Sequence, residues 1–186
     1  MEENTQQNHQ TAVVLVHGDY YKDLEPDKII RQLHDIQADV YTINCEYISL
    51  CRTIYDMKHN IGELREMYDY ILLIGVYVEA YLCKYMYQEK MVNAVIYINP
   101  IFKPYIWFHQ MNNDDMIRTF FETSRIPAEP FHTFDKNHEL LVTYGEYPEQ
   151  DYLSKIQQRC MCSVSRKEME ENNLGFLIID FMNKTK

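Results

Sequence analysis

The chain has 186 residues, of which 46% are hydrophobic and 25% are charged, and its formal net charge is −10. This length suits a single domain, and the apolar content supplies enough surface to bury that a disordered chain is excluded. Lys and Arg are scattered along the sequence, whereas contacts to phosphate need grouped cations, so nucleic acid is not an expected partner.

The first ten residues are polar and predict a disordered tail over residues 1–10, followed by one domain over residues 11–186. This tail has no cationic flank leading into an apolar stretch, and no apolar run approaches the ~18–20 residues of a membrane span. The five cysteines are an odd number, which favours free thiols in a reducing compartment. We therefore expect a cytoplasmic protein that does not associate with membranes.

Apolar, β-branched runs predict strands, and apolar residues every three or four positions predict helices. In the first half of the chain, strands are predicted at residues 12–16, 39–43, 70–75 and 94–98, and helices at residues 27–36, 54–68 and 79–88. An irregular stretch over residues 104–137 follows, and then a strand, a helix, a strand and a helix at residues 140–144, 150–158, 160–164 and 174–182. This alternation predicts an α/β fold, a three-layer sandwich with a mostly parallel central sheet.

In a parallel sheet of this kind, ligands bind beyond the carboxyl ends of the strands. The residues that follow the predicted strands are therefore the candidates for chemistry. They lie at residues 17–21, 44–47, 76–79, 99–103, 144–147 and 163–168.

Three of these strand ends carry recognisable motifs. His17-Gly18 directly follows the first strand, the sequence YILLIGVYVEA occupies residues 70–80, and NPIFKP occupies residues 99–104. The first resembles an oxyanion loop, and the second stands where a nucleophile elbow, normally G-x-S-x-G, joins a strand to a helix. On these motifs the chain resembles the α/β-hydrolase superfamily, and within it the small lidless bacterial esterases of the YqiA type. The resemblance spans almost the whole chain in element order.

This resemblance aligns Tyr77 with the nucleophile and Glu146 with the acid of a catalytic triad, and Arg166 or Glu168 falls about where the base should be. Phenols stay protonated at neutral pH and are poor acyl acceptors. Residues 163–173 contain no histidine, so no imidazole is available there to take a proton from a nucleophile. Glu79 also replaces the second glycine of the elbow, and we expect it to relax the turn. The sequence therefore predicts a degenerate triad and a pseudoesterase.

We expect such a protein to bind a small ligand or a protein partner at the former active site, without a metal or cofactor. The backbone N–H of Val78 and the loop at Asp19 and Tyr20 are candidate donors to a carbonyl oxygen. Tyr77 either donates a hydrogen bond to the ligand or plugs the pocket, and Glu146 either pairs with Arg166 or is solvated. The candidate ligand-binding residues are His17, Gly18, Asp19, Tyr20, Val76, Tyr77, Val78, Asn99 and Pro100.

Two other functions remain open. One is an active hydrolase with a displaced nucleophile, served by His109, His132 or His138. Cys51, which with Cys45 flanks a strand-end loop, is a candidate nucleophile in a weaker version of the same idea, with His59 the nearest base in sequence. The other is a flavodoxin-like interaction or signalling module without pocket chemistry. The lack of a glycine-rich phosphate loop or a paired Asp cluster favours this module over a phosphate-handling protein, whereas the HG and NP motifs count against it.

Two further clusters have both a structural and a functional interpretation. Cys160 and Cys162 are two residues apart on the last predicted strand, so they share one of its faces. Without other ligands near them in sequence, they are interpreted as core thiols rather than a metal site. The aromatic stretch at residues 102–108, which includes Trp107, either caps the sheet or anchors a partner.

Overall fold

The computed structural model describes residues 11–18, 26–33, 36, 38–45, 50–102, 133–143, 151, 154–155, 164–166 and 173–186. Within them, one parallel sheet contains six strands in the order β2-β1-β3-β4-β5-β6. The strands are β1 (Thr11–His17), β2 (Asp39–Asn44), β3 (Tyr70–Val76), β4 (Ala94–Ile98), β5 (Glu139–Thr143) and β6 (Val164–Arg166).

Four helices in the described residues cover the two faces of this sheet. They are α1 (Pro26–Leu33), α2 (Leu50–Met67), α3 (Glu79–Gln88) and α4 (Asn173–Thr185). Apolar residues of α2 and α3 pack into one buried cluster with the sheet, and those of α1 and α4 pack into a second cluster on the opposite face. The predicted three-layer α/β sandwich with a parallel central sheet is therefore confirmed.

The central strands are continuous apolar runs because both of their faces are covered. Every residue of β3, β4 and β5 is buried, which is the pattern expected of a parallel sheet between two helical layers. The edge strand β2 differs, since only Ile43 of its residues is fully buried. The hydrophobic pattern of the sequence thus fixes the centre of the sheet more firmly than its edge.

Several predicted boundaries differ from the observed ones. Helix α1 ends at Leu33 and α2 begins at Leu50, whereas an end at residue 36 and a start at residue 54 were predicted. The last strand is described over Val164–Arg166, whereas residues 160–164 were predicted; two of its three residues are polar, and the apolar signal lies before it. Strand β5 begins one residue earlier than predicted, at Glu139. A carboxylate is not expected at the buried start of a strand, but here it is held by an ion pair with Lys84.

Some predictions fall outside the described residues. They include the disordered tail at residues 1–10, the thiols Cys160 and Cys162, Trp107 and most of the irregular stretch at residues 104–137. Within the described part of the chain, no helix combines the length and apolar character needed to cross a bilayer.

Candidate functional site

The three strands that carry the sequence motifs are neighbours in the sheet. Strand β3 lies between β1 and β4, with Val16 paired to Gly75 and Val76 paired to Ile98. All three strands run in the same direction, so the residues after them meet at one edge. His17, Tyr77 and Asn99 therefore belong to a single candidate site at the carboxyl edge of the sheet.

Tyr77 forms the turn between β3 and α3 and has a left-handed backbone, with φ of 52°. A bulky residue with positive φ is rare, and holding it there costs on the order of 1–3 kcal/mol. Two backbone hydrogen bonds hold the turn in place. The N–H of Tyr77 donates to the carbonyl of Ile98 at 2.9 Å, and the N–H of Ile101 donates to the carbonyl of Tyr77 at 3.2 Å. The strained strand-turn-helix shape of a nucleophile elbow is therefore present at the predicted position.

The close approach of α3 to β3 depends on Gly75. A Cβ atom at this position would lie 2.7 Å from the Cα of Ala80 and 2.7 Å from the Sγ of Cys83. Both distances are shorter than van der Waals contact permits, so only glycine fits under the first turn of the helix. The expectation that Glu79 relaxes the elbow was wrong, because the tight contact is made by Gly75 and Ala80 instead.

Glu79 occupies the first turn of α3 and is completely buried. Neither of its carboxyl oxygens has a hydrogen-bond partner on another described residue. Burial raises the pKa of the carboxyl to about 8, although its own backbone N–H opposes the rise. A carboxyl in an apolar site without a counterion keeps its proton, so Glu79 is neutral at pH 7.

The side chain of Tyr77 is half-buried and packs against the core cluster formed by the sheet with α1 and α4. This packing favours the interpretation of the phenol as a plug. The side chains of Val76 and Val78 are also buried, and these residues are 4% and 1% exposed respectively. A ligand at this edge would therefore meet their backbone atoms rather than their methyl groups.

The turn after β4 is also tight. Asn99 has φ of 44°, is 4% exposed, and donates its backbone N–H to the carbonyl of Val142 at 2.9 Å. Pro100, the next residue, is buried. Asparagine adopts the left-handed conformation more readily than most residues, which explains why an asparagine occupies this turn. The Asn-Pro pair thus shapes the edge of the site next to the elbow.

The candidate acid and base cannot be assembled around Tyr77 from the described residues. Asp19, Tyr20 and Glu146 lie outside those residues. Arg166 was predicted in the loop after the last strand, but it is the final residue of β6 and pairs with Thr143. Arg166 thus lies at the carboxyl end of β6 rather than in the loop beyond it, and its role in the site stays a prediction.

The displaced-base alternative does not suit His138. This histidine precedes β5, and its carbonyl accepts a hydrogen bond from the N–H of Val95 near the start of β4. It therefore lies at the amino edge of the sheet, opposite Tyr77. Its Nδ1 atom is 2.8 Å from the Oδ2 atom of Asp135. His109 and His132, the other two candidates, lie outside the described residues.

The thiol alternative is not supported by helix geometry either. Cys51 and His59 both lie on α2, eight positions apart, which corresponds to about 12 Å along the helix axis. Cys51 is exposed, and His59 lies 3.5 Å from a carboxylate oxygen of Glu63. In the described ranges, no three His, Cys, Asp or Glu side chains are grouped so that they could hold a metal ion.

A polar cluster at the amino edge was missed by sequence reasoning. Lys84 and Glu139 are both buried, and Nζ of the lysine donates to Oε1 of the glutamate at 2.5 Å. Tyr97 donates its hydroxyl to the same oxygen at 2.5 Å, and Lys84 also donates to the carbonyl of Thr133 at 2.5 Å. No sequence signal pairs Lys84 with a residue 55 positions away, so only the fold reveals it.

A separate cavity of about 480 Å³ lies between the carboxyl end of β2 and the first turns of α2. Its lining includes Asn44, Arg52, Asp56 and Asn60. Arg52 and Asp56 form an ion pair across 2.8 Å on the helix surface. This cavity lies two strands away from Tyr77 and is distinct from the elbow.

The fold is shared with solved esterases and hydrolases. Est1E from Butyrivibrio proteoclasticus matches with a TM-score of 0.67 at 11% identity, over 98% of this chain and 90% of that one. The esterase domain of a Rhodothermus marinus protein has a TM-score of 0.59 at 15% identity, with 96% and 88% covered. A putative YdeN-like hydrolase from Pectobacterium atrosepticum has a TM-score of 0.56 at 13% identity, with 94% and 91% covered.

No protein-family model and no curated protein matches the sequence. At identities of 11–15%, the likeness to the solved structures shows the fold alone. The chain therefore has an α/β-hydrolase-like fold, and what its site does must be argued from its own residues.

Proposed function

We propose that this protein is a catalytically inactive α/β-hydrolase-fold protein that binds a small ligand at the former active site. One observation carries the proposal. Tyr77 stands at the nucleophile position of an intact, strained elbow, with φ of 52°, and its ring packs against the core. The strand-turn-helix backbone that presents a nucleophile is retained, but the side chain at its turn is a phenol instead of the serine hydroxyl or cysteine thiol of an active enzyme.

The absence of a suitable base supports inactivity. Acyl transfer needs a group that removes the proton from the nucleophile and returns it to the leaving group. Residues 163–173, where the resemblance expects this base, contain no histidine. Among the described histidines, His17 ends β1, which lies next to the strand that leads to Tyr77, and the resemblance gives it a structural role beside the oxyanion loop. His59 lines the separate cavity at the end of β2, two strands away.

The geometry favours a ligand with a carbonyl or carboxylate oxygen. Among the first N–H groups of α3, that of Tyr81 donates to the carbonyl of Val78 at 2.9 Å, whereas the earlier ones have no acceptor within the helix. Val78, the N-cap residue, provides no side-chain cap. The positive end of the helix dipole also lies here. Because Glu79 is buried and protonated at neutral pH, it does not cancel this partial charge. The phenol of Tyr77 supplies one more possible donor at the same place.

The strand order alone does not distinguish this proposal from a flavodoxin-like module, since β2-β1-β3-β4-β5 is common to both. The strained turn at Tyr77 favours the hydrolase-like interpretation. His17-Gly18 does not supply the glycines of a phosphate-binding loop, which argues only against a phosphate-handling version of that module.

The proposal is tested by measuring ester hydrolysis and ligand binding on the same samples. With p-nitrophenyl acetate, we expect the wild type to show no turnover above that of Tyr77→Phe. In ligand-detected NMR with a panel of short-chain carboxylates and esters, we expect binding that weakens in Tyr77→Ala. Tyr55→Ala, a change at an exposed tyrosine on α2 that is 63% accessible, is the matched control. Turnover that Tyr77→Phe abolishes would contradict inactivity, and binding unchanged in Tyr77→Ala would contradict the site.

A further inference from the structure

The carboxyl group of Glu79 is the unusual feature beneath the elbow. It is completely buried, and its two oxygens lack a partner on any other described residue. A buried carboxylate without a counterion is strongly disfavoured, whereas a buried carboxylic acid is tolerated at a moderate cost. The folded structure is therefore compatible only with the protonated, uncharged form of the Glu79 side chain.

The titratable groups that act on Glu79 cannot neutralise its charge. They are Cys45, which follows β2, and Cys83, on the next turn of α3, and both thiols are buried. Burial raises the pKa of each thiol above its ordinary value, so neither is charged at neutral pH. Lys84 is buried on the same helix, but its Nζ atom is held by Glu139 at 2.5 Å.

The first turn of α3, which carries Glu79, is packed tightly on β3. Gly75 lies directly under the helix, with the Cα of Ala80 and the Sγ of Cys83 each 2.7 Å from where its Cβ would be. Glu79 itself is 0% exposed and lies in the first turn of α3. Hydration of an ionised carboxylate therefore requires Glu79 to leave its buried position, and we expect the first turn of α3, which carries it, to move away from β3. That turn begins immediately after Tyr77, so the elbow must move with it.

We propose that Glu79 is a proton-operated latch: with its proton bound, the first turn of α3 stays packed on β3, and loss of the proton releases this turn together with Tyr77 and Val78. The carboxyl pKa of about 8 places the transition just above neutral pH. The proposal rests on the packing of α3 against β3 and holds whether or not the elbow binds a ligand.

The test is amide hydrogen exchange of the α3 segment between about pH 6 and about pH 9, corrected for the intrinsic rise of the exchange rate with pH. We expect the corrected rate in the wild type to rise about tenfold or more as Glu79 ionises, because opening is coupled to deprotonation. Glu79→Gln keeps the shape but cannot ionise, so its corrected rate stays flat. Glu63→Gln, a change to an exposed carboxylate on α2 with 65% accessibility, behaves like the wild type.

A corrected rate that stays flat in the wild type, or a rise that survives in Glu79→Gln, would overturn the latch. If Glu79→Gln does not fold, the titration of the Glu79 carboxyl carbon by ¹³C NMR in the wild type decides. A midpoint near pH 8 supports the proposal, and one near the ordinary value of about 4.3 overturns it.

Discussion

Lys84 and Glu139 form an ion pair inside the protein, with 2.5 Å between Nζ and Oε1 and 1% of each side chain exposed. The pair joins α3 to the first residue of β5. Tyr97 donates to the same carboxylate oxygen, and the N–H of Asp135 donates to the other at 2.6 Å. Because the ion pair is buried, removal of the lysine charge leaves the carboxylate with only the neutral donors of Tyr97 and Asp135.

We therefore predict that Lys84→Met destabilises the protein by about 3–5 kcal/mol, since Glu139 is then left as a buried, unpaired carboxylate. The free energy of unfolding is measured by urea denaturation. Lys58→Met is the control, because Lys58 pairs with Glu89 at 3.1 Å on the surface and such pairs contribute about 0–1 kcal/mol. Equal losses for the two variants would contradict the importance assigned to burial.

A second prediction concerns the pH dependence of stability at Glu79. Its pKa is about 8 in the folded state, against 4.5 for an unperturbed glutamate. The unfolded chain loses this proton first as the pH rises, so the folded state is progressively disfavoured between these values. Glu79→Gln cannot ionise and so lacks this loss of stability. Between the two pKa values, the free energy of unfolding of Glu79→Gln minus that of the wild type should increase by roughly 1.4 kcal/mol per pH unit.

Urea denaturation of both proteins at several pH values measures this difference. Below about pH 4.3 both states carry the proton and the difference should be constant. If the difference in the free energy of unfolding between Glu79→Gln and the wild type does not change between about pH 5 and about pH 8, Glu79 is ionised in the folded protein and the prediction is wrong.

A third prediction compares two glycines. Gly75→Ala should destabilise the protein by at least the ~1–3 kcal/mol that overpacking typically costs. The new methyl group would lie 2.7 Å from the Cα atom of Ala80. Gly62→Ala places its methyl in open space on α2, with nothing within 4 Å. It should stabilise the helix by about 1 kcal/mol.

Thermal unfolding of the two variants measures the contrast. A Gly75→Ala protein as stable as the wild type would show that β3 and α3 are not in close contact. The elbow at Tyr77 would then lack its structural support.

A fourth prediction concerns Lys90, which follows α3 with φ of 59°. Lys90→Gly should raise stability by about 0.5–1 kcal/mol, because glycine adopts this left-handed conformation without steric cost. The hydrogen bond that Arg65 donates to the carbonyl of Lys90 at 2.7 Å involves only the backbone at this position and is kept. Lys90→Ala is the control, since it removes the same side chain but leaves the strain, and a melting temperature equal to that of Lys90→Gly would contradict the argument.

The centre of the fold was predictable from the sequence. Strands β3 and β4 are buried on both faces, so their apolar runs mark them plainly, and α3 was predicted with its observed bounds. The position of the elbow at Tyr77 could be predicted because Gly75 and the strand-helix junction are local features. Strand β6 could not be placed correctly, because a three-residue strand at the edge has too few buried residues to produce a pattern.

The contents of the site were harder to predict than its location. The Glu79 carboxyl is buried, with no partner on another described residue, and this depends on tertiary packing that sequence spacing does not encode. The same limit applies to Lys84, whose partner is far away in the chain. Sequence patterns report which faces are buried, whereas a paired or unpaired charge inside the core depends on tertiary contacts.

Inactivity at the elbow is tested most directly with a fluorophosphonate probe, which reacts with the activated nucleophile of serine hydrolases, followed by mass spectrometry of the intact protein. The account predicts no labelling of the wild type or of Tyr77→Phe, while an active esterase in the same experiment is labelled completely. Stoichiometric labelling of the wild type, mapped to any side chain at the carboxyl edge of the sheet, would contradict it.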